Sequence, residues 1–195
     1  YVRQGGPLIL GCRTGYKDET GKCVMLPQPG LLSKISGTDV TDFTFASPAE
    51  EAPAVLWDDE TIPAPVFADI LHPGADTKVL ARHSTSYFKG EPALTEHAFG
   101  SGRVLHWGAG FSAAAVRRLL AYTGIAQPFR DSIDAPENVE LVMREKDGRR
   151  YLFVLNYKPW AEKIRLHKPV KSLLCGSICE GDLTLPPYGA AVLEL

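Results

Sequence analysis

Residues 8–15 read LILGCRTG, an apolar run that meets a turn bounded by glycines. A short apolar run of this kind predicts a buried strand, which we place at residues 7–12. In α/β folds a nucleophile is often displayed at the carboxyl end of such a strand. Cys12 stands at that position, so the stretch is compatible with an α/β sheet and makes Cys12 the first candidate for a catalytic residue.

Cys12 lacks the context that a cysteine nucleophile requires. A base, usually a histidine, must generate the thiolate. The glutamine-amidotransferase elbow has the pattern G-x-C-x-G, whereas Gly11 directly precedes Cys12 here, and neither His83 nor His97 is followed two residues later by an acid. Arg13 is a group that can lower the pKa of a thiol. A small residue at the buried end of a strand explains Cys12 better than catalysis does.

The composition describes a globular chain without a marked charge. Of its 195 residues 45% are hydrophobic, which supplies a core, and the formal net charge is −2. Such a chain offers no basic field for nucleic acid or for anionic lipid. No apolar run is long enough to span a bilayer. We therefore expect neither nucleic acid nor a membrane among its partners.

The cysteines indicate the cellular compartment, and the first residues indicate how the chain relates to a longer polypeptide. Four scattered cysteines do not form a disulfide framework, and no basic start with an apolar signal region is present. The sequence therefore predicts reduced thiols and a cytoplasmic location. It opens with YVRQGG, in which Gly5-Gly6 reads as a helix end with almost no helix before it. We expect the chain to be the rear part of a longer polypeptide.

Metal ligation has weak support. Cys175 and Cys179 have the spacing of a zinc half-site, but Cys12 and Cys23 are too far apart in sequence to provide a second close pair. The histidines are isolated from one another along the chain: His72, His83, His97, His106 and His167. We expect no metal site and no cofactor site.

Two acidic clusters and three tryptophans are candidates for acting on or binding a carbohydrate. Glycosidases need two carboxyl groups on opposite sides of one bond. Glu50-Glu51 and Asp58-Asp59-Glu60 consist of adjacent residues in loops and turns, so we expect them to be solvated. Trp57 and Trp107 lie in apolar strands and are expected in the core. Trp160, in the turn NYKPWAEK, is the better candidate for an exposed ring that stacks on a sugar.

The first two-thirds of the chain contains one clearly marked helix. Ala113–Thr123 carries apolar residues at helical spacing, Ser112 provides the N-cap and Gly124 the stop. Closely spaced strands divided by glycine-bearing turns precede it, and AVLW before the acidic turn is one of them. The stretch IAQPFRDSIDAPEN at 125–138 contains two prolines, and we place a linker at residues 129–137 within it.

Short strands alone are predicted for the rest of the chain. The segments VELVMRE, RRYLFVLNY, EKIRLH, KSLLCG, LTLPP and AAVLEL read as strands, and Lys146-Asp147-Gly148 reads as a hairpin turn. Residues 138–195 are therefore expected to form a small antiparallel β-domain.

Taken in order, several segments resemble the carboxyl-terminal part of a glycoside hydrolase family 42 β-galactosidase. The resemblance covers nearly the whole chain. It rests on five segments: YVRQGGPLILGCRTGYKDETGKCV at 1–24, PGLLSKISGTDVTDF at 29–43, YFKGEPALTEHAFGSGRVLHWGAG at 87–110, RRYLFVLNY at 149–157, and LTLPPYGAAVLEL at 183–195. Cys12 departs from the family pattern, which usually has an aromatic or small residue there, and this favours a space-filling role.

The resemblance implies a fold and a function. Residues 1–128 would be a partial flavodoxin-like, class I amidotransferase-like α/β trimerisation domain, and residues 138–195 the C-terminal β-domain. The whole enzyme would be a retaining β-galactosidase that hydrolyses terminal β-D-galactosides and assembles as a homotrimer. Its two catalytic glutamates would lie in a barrel that this sequence lacks, so no catalytic residue is assigned and we expect the chain alone to be inactive.

Two alternatives remain open from the sequence. One is an accessory carbohydrate-binding module that uses Trp160 and nearby aromatic residues. The other is a cysteine-dependent amidotransferase-like enzyme that uses Cys12. Glycan binding without assembly would favour the first, and loss of an activity on thiol labelling would favour the second.

Overall fold

The computed structural model describes residues 1–45, 52–125 and 129–195. It divides the chain into two compact units, Tyr1–Gly124 and Ile125–Leu195. None of the helices in these described ranges has the length and apolar character that crossing a bilayer requires.

The first unit is built mainly from strands. Its described helical segments are two 3-10 turns (Val2–Gln4 and Gly30–Leu32), the single turn α1 (Ser33–Ser36) and α2 (Ala113–Thr123). Its described strands are β1 (Pro7–Leu10), β2 (Thr38–Phe45), β3 (Ala54–Trp57), β4 (Glu60–Pro63), β5 (Phe67–Pro73), β6 (Thr77–His83), β7 (Pro92–Phe99) and β8 (Gly102–Trp107).

Six of these strands form one sheet in the order β1-β8-β7-β6-β3-β4, and β2 pairs with β5 in a second, two-stranded sheet. β1 lies at an edge and runs parallel to β8, with Leu8 opposite Val104 and Leu10 opposite His106. Every other pairing in the two sheets is antiparallel within the described ranges. The sheet therefore contains a single parallel pair, at its β1 edge.

The α/β prediction for residues 1–128 was wrong. A flavodoxin-like sheet is parallel because a helix crosses over between successive strands. Here short connections join β3 to β4, β6 to β7 and β7 to β8, and each of these pairs is antiparallel. The apolar run of β1 resembles a strand from a doubly wound sheet because both of its faces are covered, Ile9 on one side and Leu8 with Leu10 on the other.

α2 covers one face of the main sheet. Ala115 and Leu119 are buried against a core that includes Trp107, and the rings of Tyr122 and Trp57 meet edge to face at 5.3 Å. The predicted ends of this helix are confirmed, since the Ser112 side chain accepts from the Ala115 backbone N–H. Gly124, at φ 69°, adopts the left-handed conformation that stops the helix.

The second unit consists of strands and turns in its described part. The strands are β9 (Ile133–Asp134), β10 (Val139–Lys146), β11 (Arg149–Asn156), β12 (Glu162–Ser172), β13 (Ile178–Leu185) and β14 (Ala190–Glu194). They form an antiparallel sheet in the order β10-β11-β14-β12-β13, and β9 pairs with β12. β9 falls inside the segment predicted as a linker, so that segment is partly structured.

One face of this sheet supplies the core of the second unit. Leu152 and Val154 alternate with outward residues on β11, and Ile164 and Leu166 do so on β12. The hairpin at Asp147-Gly148 is confirmed, with both residues at positive φ as a type I′ turn requires.

Two element predictions need correction. KSLLCG is not a separate strand: β12 continues to Ser172 across a register shift between Leu166 and Val170, and a turn follows. Glu60 was placed in an acidic turn, but it begins β4, which pairs with β3 through Trp57. In both cases the local sequence does not show how far a strand stays paired with its neighbour, because pairing depends on residues elsewhere in the chain.

Candidate functional site

The turn after β1 contains Cys12, the residue that the sequence analysis considered as a catalytic candidate. Arg13 occupies the left-handed region at φ 63°, and its backbone N–H donates to Asp69 Oδ2 at 2.8 Å. The Thr14 hydroxyl donates to the Gly11 carbonyl at 2.7 Å. These contacts fasten the turn to β5, on which Asp69 is buried.

The Arg13 side chain lies in a cage of aromatic rings. Its guanidinium carbon is 3.6 Å from the centroid of Tyr16, 3.9 Å from that of Phe43 and 5.7 Å from that of Phe67. Tyr16 and Phe43 themselves meet edge to face at 5.8 Å. A guanidinium at these distances is held by cation–π attraction. The arrangement is a structural clamp that ties the turn to β2 and β5.

The Cys12 thiol is poorly suited to nucleophilic chemistry. Burial raises its pKa to about 11, and the Asp69 carboxylate acts in the same direction while Arg13 opposes both. At that pKa roughly one thiol in ten thousand is ionised at neutral pH. Arg13 does lower the pKa of the thiol, as the sequence allows, but by less than burial raises it. This geometry gives no support to an amidotransferase-like activity.

The contacts described for the His83 ring are with the Asp69 carbonyl and Phe88, and they do not include Cys12. His83 is buried, its Nε2 lies 3.2 Å from the backbone carbonyl of Asp69, and burial lowers the pKa of its ring. Burial also raises the pKa of Asp69, more than Arg13 lowers it. In both groups burial thus disfavours the charged form, as in a packed interior.

The remaining metal and acid candidates are dispersed. Within the described ranges no three His, Cys, Asp or Glu side chains are grouped as metal ligands. Cys175 is exposed, and its Sγ lies 2.8 Å from Ser177 Oγ. Asp58 pairs with Arg118 at 2.9 Å, which joins the acidic turn to α2. Glu50 and Glu51 lie outside the described residues.

The tryptophan predictions are confirmed. Trp57 and Trp107 are buried in the core of the first unit, whereas the side chain of Trp160 is 54% exposed. No local signal other than its position beside Pro159, in a turn rich in polar residues, distinguished Trp160 from the two core residues.

An apolar groove next to β1 was missed by the sequence analysis. It has a volume of about 640 Å³, and its apolar lining includes Val24, Met25, Leu26, Leu31 and Leu32. Met25 is 94% and Leu31 86% exposed, while Leu32 packs with Leu8 and Leu10 against the sheet. The run VML at 24–26 followed by GLL at 30–32 was the available signal. Exposed apolar surface of this kind is typical of contacts with another protein surface.

Comparisons with known proteins follow this division of the chain. The family model described as the beta-galactosidase trimerisation domain matches residues 1–128, and the one described as the beta-galactosidase C-terminal domain matches residues 138–195. Beta-galactosidase BglY of Alicyclobacillus acidocaldarius is 27% identical over 206 residues, and the match covers 100% of this chain and 29% of that protein. Beta-galactosidase BgaA of Clostridium cellulovorans is 26% identical, with 100% and 29% covered.

Solved structures show the same fold. A beta-galactosidase from Bacillus circulans sp. alkalophilus aligns with a TM-score of 0.82 at 24% identity, covering 99% of this chain and 29% of that one. The beta-galactosidase of Halorubrum lacusprofundi aligns with a TM-score of 0.72 at 24% identity, covering 100% and 28%. The class defined by the fold and the family models is thus a pair of domains found in glycosidases.

The chain belongs to the glycoside hydrolase family 42 β-galactosidases and contains their trimerisation and C-terminal domains. It spans about 29% of the length of the curated relatives named above. The name of the family that matches residues 1–128 implies self-association.

Proposed function

We propose that this chain assembles a retaining β-galactosidase into a homotrimer in the cytoplasm, and that the intact enzyme hydrolyses terminal β-D-galactosides. The observation that carries the proposal is the match of the trimerisation-domain family model to residues 1–128. The four cysteines are free thiols, which suits a reducing compartment. We take residues 1–128 and 138–195 as the domains and 129–137 as the linker.

Two neighbouring surfaces of the first unit support assembly as its role. β1 pairs on one side with β8 and lies at the edge of the sheet, where unpaired backbone groups favour association. The apolar groove containing Met25 and Leu31 adjoins it through Leu32. A ring of three copies needs a heterologous contact, in which two different patches meet. We propose that this edge and groove are one of those patches.

The mass of the chain in solution tests the proposal. Sedimentation equilibrium across a dilution series should approach three times the chain mass of 21.3 kDa. Leu31→Arg should lower that mass, because a charge buried in an apolar contact is costly. Leu120→Arg, at an exposed apolar position on α2, is the matched control and should leave the mass unchanged. A chain that stays monomeric at millimolar concentration would contradict the assembly role.

A further inference from the structure

Two loops of the second unit are joined into one surface. One follows β11 and the other follows β13, at residues 157–161 and 186–189. The buried amide of Asn156 donates to the carbonyl oxygens of Trp160 (2.8 Å) and Pro186 (2.9 Å), and its oxygen accepts from the Lys158 backbone N–H at 2.9 Å. Tyr188 donates its backbone N–H to the Lys158 carbonyl at 3.0 Å. A buried side chain with all these partners satisfied holds both loops in a fixed arrangement.

Three aromatic side chains project from these loops into solvent. Tyr157 is 57%, Trp160 54% and Tyr188 70% exposed. We call these three residues the aromatic platform. Large apolar side chains left exposed on loops that are held this firmly are typical of binding surfaces rather than of cores.

The orientation of the Trp160 ring is fixed by specific contacts. The Trp160 indole N–H donates to Glu162 Oε1 at 2.6 Å, and the Asn138 amide donates to the same oxygen. Tyr188 has φ 54°, a left-handed conformation that is unusual for a bulky residue. Backbone strain of this kind is concentrated at functional positions. A ring whose rotamer is already fixed loses little conformational entropy when a ligand covers it.

The groups around the platform define the chemistry of its ligand. The Lys158 ammonium lies 5.8 Å from the centroid of the Trp160 ring, and the Glu140 carboxylate lies close to the Tyr157 hydroxyl. Glu140 and Glu162 place negative charge beside the rings, which disfavours nucleic acid and other phosphate-bearing ligands. The exposed apolar residues of the two loops are the three rings with Pro159, Ala161, Pro186 and Pro187. These are far fewer than the roughly twenty residues that each side of a stable contact between proteins buries. A neutral ligand with an apolar face and a rim of hydroxyl groups fits these features.

We propose that Tyr157, Trp160 and Tyr188 form a stacking site for the apolar face of a pyranoside. The Trp160 ring takes the sugar face, and Lys158 and Glu162 lie where they can bond its hydroxyl groups. The axial 4-hydroxyl of galactose leaves the opposite ring face lined by carbon–hydrogen groups, so a β-galactoside suits an aromatic platform. The choice of galactose over other sugars rests on the proposed function, whereas the stacking site itself does not.

Binding to the wild-type chain is measured through Trp160. Because Trp57 and Trp107 are buried, acrylamide quenches mainly the fluorescence of Trp160, and a bound sugar should protect it. A single stacked ring buries little surface, so we expect a Kd on the order of 1 mM for soluble β-galacto-oligosaccharides. Dextran, an α-glucan, is the control saccharide. Absence of protection at saturating galacto-oligosaccharide would overturn the proposal, and equal protection by dextran would overturn the choice of galactose.

Variants are compared by native electrophoresis in gels that contain β-galactan. Trp160→Ala should weaken the retardation roughly tenfold or more, since it removes the stacked ring. Tyr87→Ala, which removes an exposed ring from the first unit, should leave it unchanged. Tyr188→Gly should weaken binding without lowering the melting temperature, because glycine adopts positive φ freely. Retardation that survives both platform variants would refute the site.

The same variants separate this inference from the assembly role. If Trp160→Ala lowers the mass measured by sedimentation equilibrium, the rings contact another copy of the chain and the sugar site is wrong. If the wild-type chain assembles but does not bind galactan, only the present inference fails. If it binds galactan as a monomer, the assembly proposal fails and the sugar site stands.

Discussion

His106 makes the stability of the first unit depend on pH. It lies on β8 opposite Thr95 and Leu10, is 1% exposed, and neither of its ring nitrogens has a hydrogen-bond partner among the described residues. Burial alone lowers the pKa of this imidazole to about 4, from 6.5. The folded state thus keeps the ring neutral at a pH where the unfolded chain protonates it.

The sign and size of the effect follow from proton linkage. Because the pKa of His106 is lower in the folded state, its effect on the free energy of unfolding is most favourable above pH 6.5. That contribution is lost as the pH falls toward 4. At pH 5 the loss attributable to His106 is about 2 kcal/mol, and its limit at lower pH is about 3 kcal/mol. His83, whose pKa burial also lowers, contributes in the same direction.

The perturbation is His106→Leu, and the assay is urea unfolding followed by the fluorescence of the buried tryptophans. The variant should gain about 2 kcal/mol relative to the wild-type chain when the pH is lowered from 7.5 to 5. His72→Gln removes an exposed imidazole and serves as the control for nonspecific effects of charge. If the stability difference between wild type and His106→Leu changes by less than about 0.5 kcal/mol over that range, the linkage reasoning is refuted.

Four further predictions concern thiols, the cap, the aromatic cage and activity. Cys175, whose pKa is lowered to about 7 by hydrogen bonds from Ser172 and Ser177, should react with iodoacetamide at neutral pH much faster than Cys12, as peptide mass spectrometry of a time course would show. Ser112→Ala should lower the free energy of unfolding by about 1 kcal/mol in urea titrations, because it removes the α2 N-cap. Arg13→Ala should cost about 2–3 kcal/mol, since it removes two close cation–π contacts and the cation beside buried Asp69. The purified chain should not hydrolyse a chromogenic β-galactoside.

Each of these has an outcome that contradicts it. Stoichiometric labelling of Cys12 before Cys175 would show that the first thiol is activated. A Ser112→Ala chain as stable as wild type would mean that the cap contact is not formed in solution. Arg13→Lys keeps the charge and lacks the planar fork, so equal stability of this variant and wild type would show that stacking on Tyr16 and Phe43 contributes nothing. Hydrolysis that survives a control for contaminating β-galactosidase would place a catalytic site in this chain.

Local sequence signals were sufficient to predict an element that is specified by one short segment of the chain. Ser112, the apolar spacing and Gly124 specify α2 within a dozen residues, and Asp147-Gly148 specifies a hairpin within four. The burial of Trp57 and Trp107 followed from the apolar strands around them. The groove at Met25 and Leu31 was not predicted, because the same residues would have suited a buried loop equally well.

The strand Pro7–Leu10 shows why the fold of the first unit was misjudged. The predicted strand at 7–12 ends at Leu10, and of its residues only Leu10 is buried, although Leu8 and Ile9 pack against cores on opposite faces. Contacts on both faces do not specify how the other strands pair. The parallel partner of this strand, β8, is more than ninety residues away in sequence. β7 directly precedes β8 in the chain and forms a hairpin with β8. The turn that follows β1 therefore lies beside the single parallel pair of a mostly antiparallel sheet. In that turn Arg13, rather than Cys12, makes the specific contacts: its backbone binds Asp69 and its guanidinium stacks on Tyr16 and Phe43. The turn is thus organised to hold strands together, which agrees with a domain whose family role is assembly.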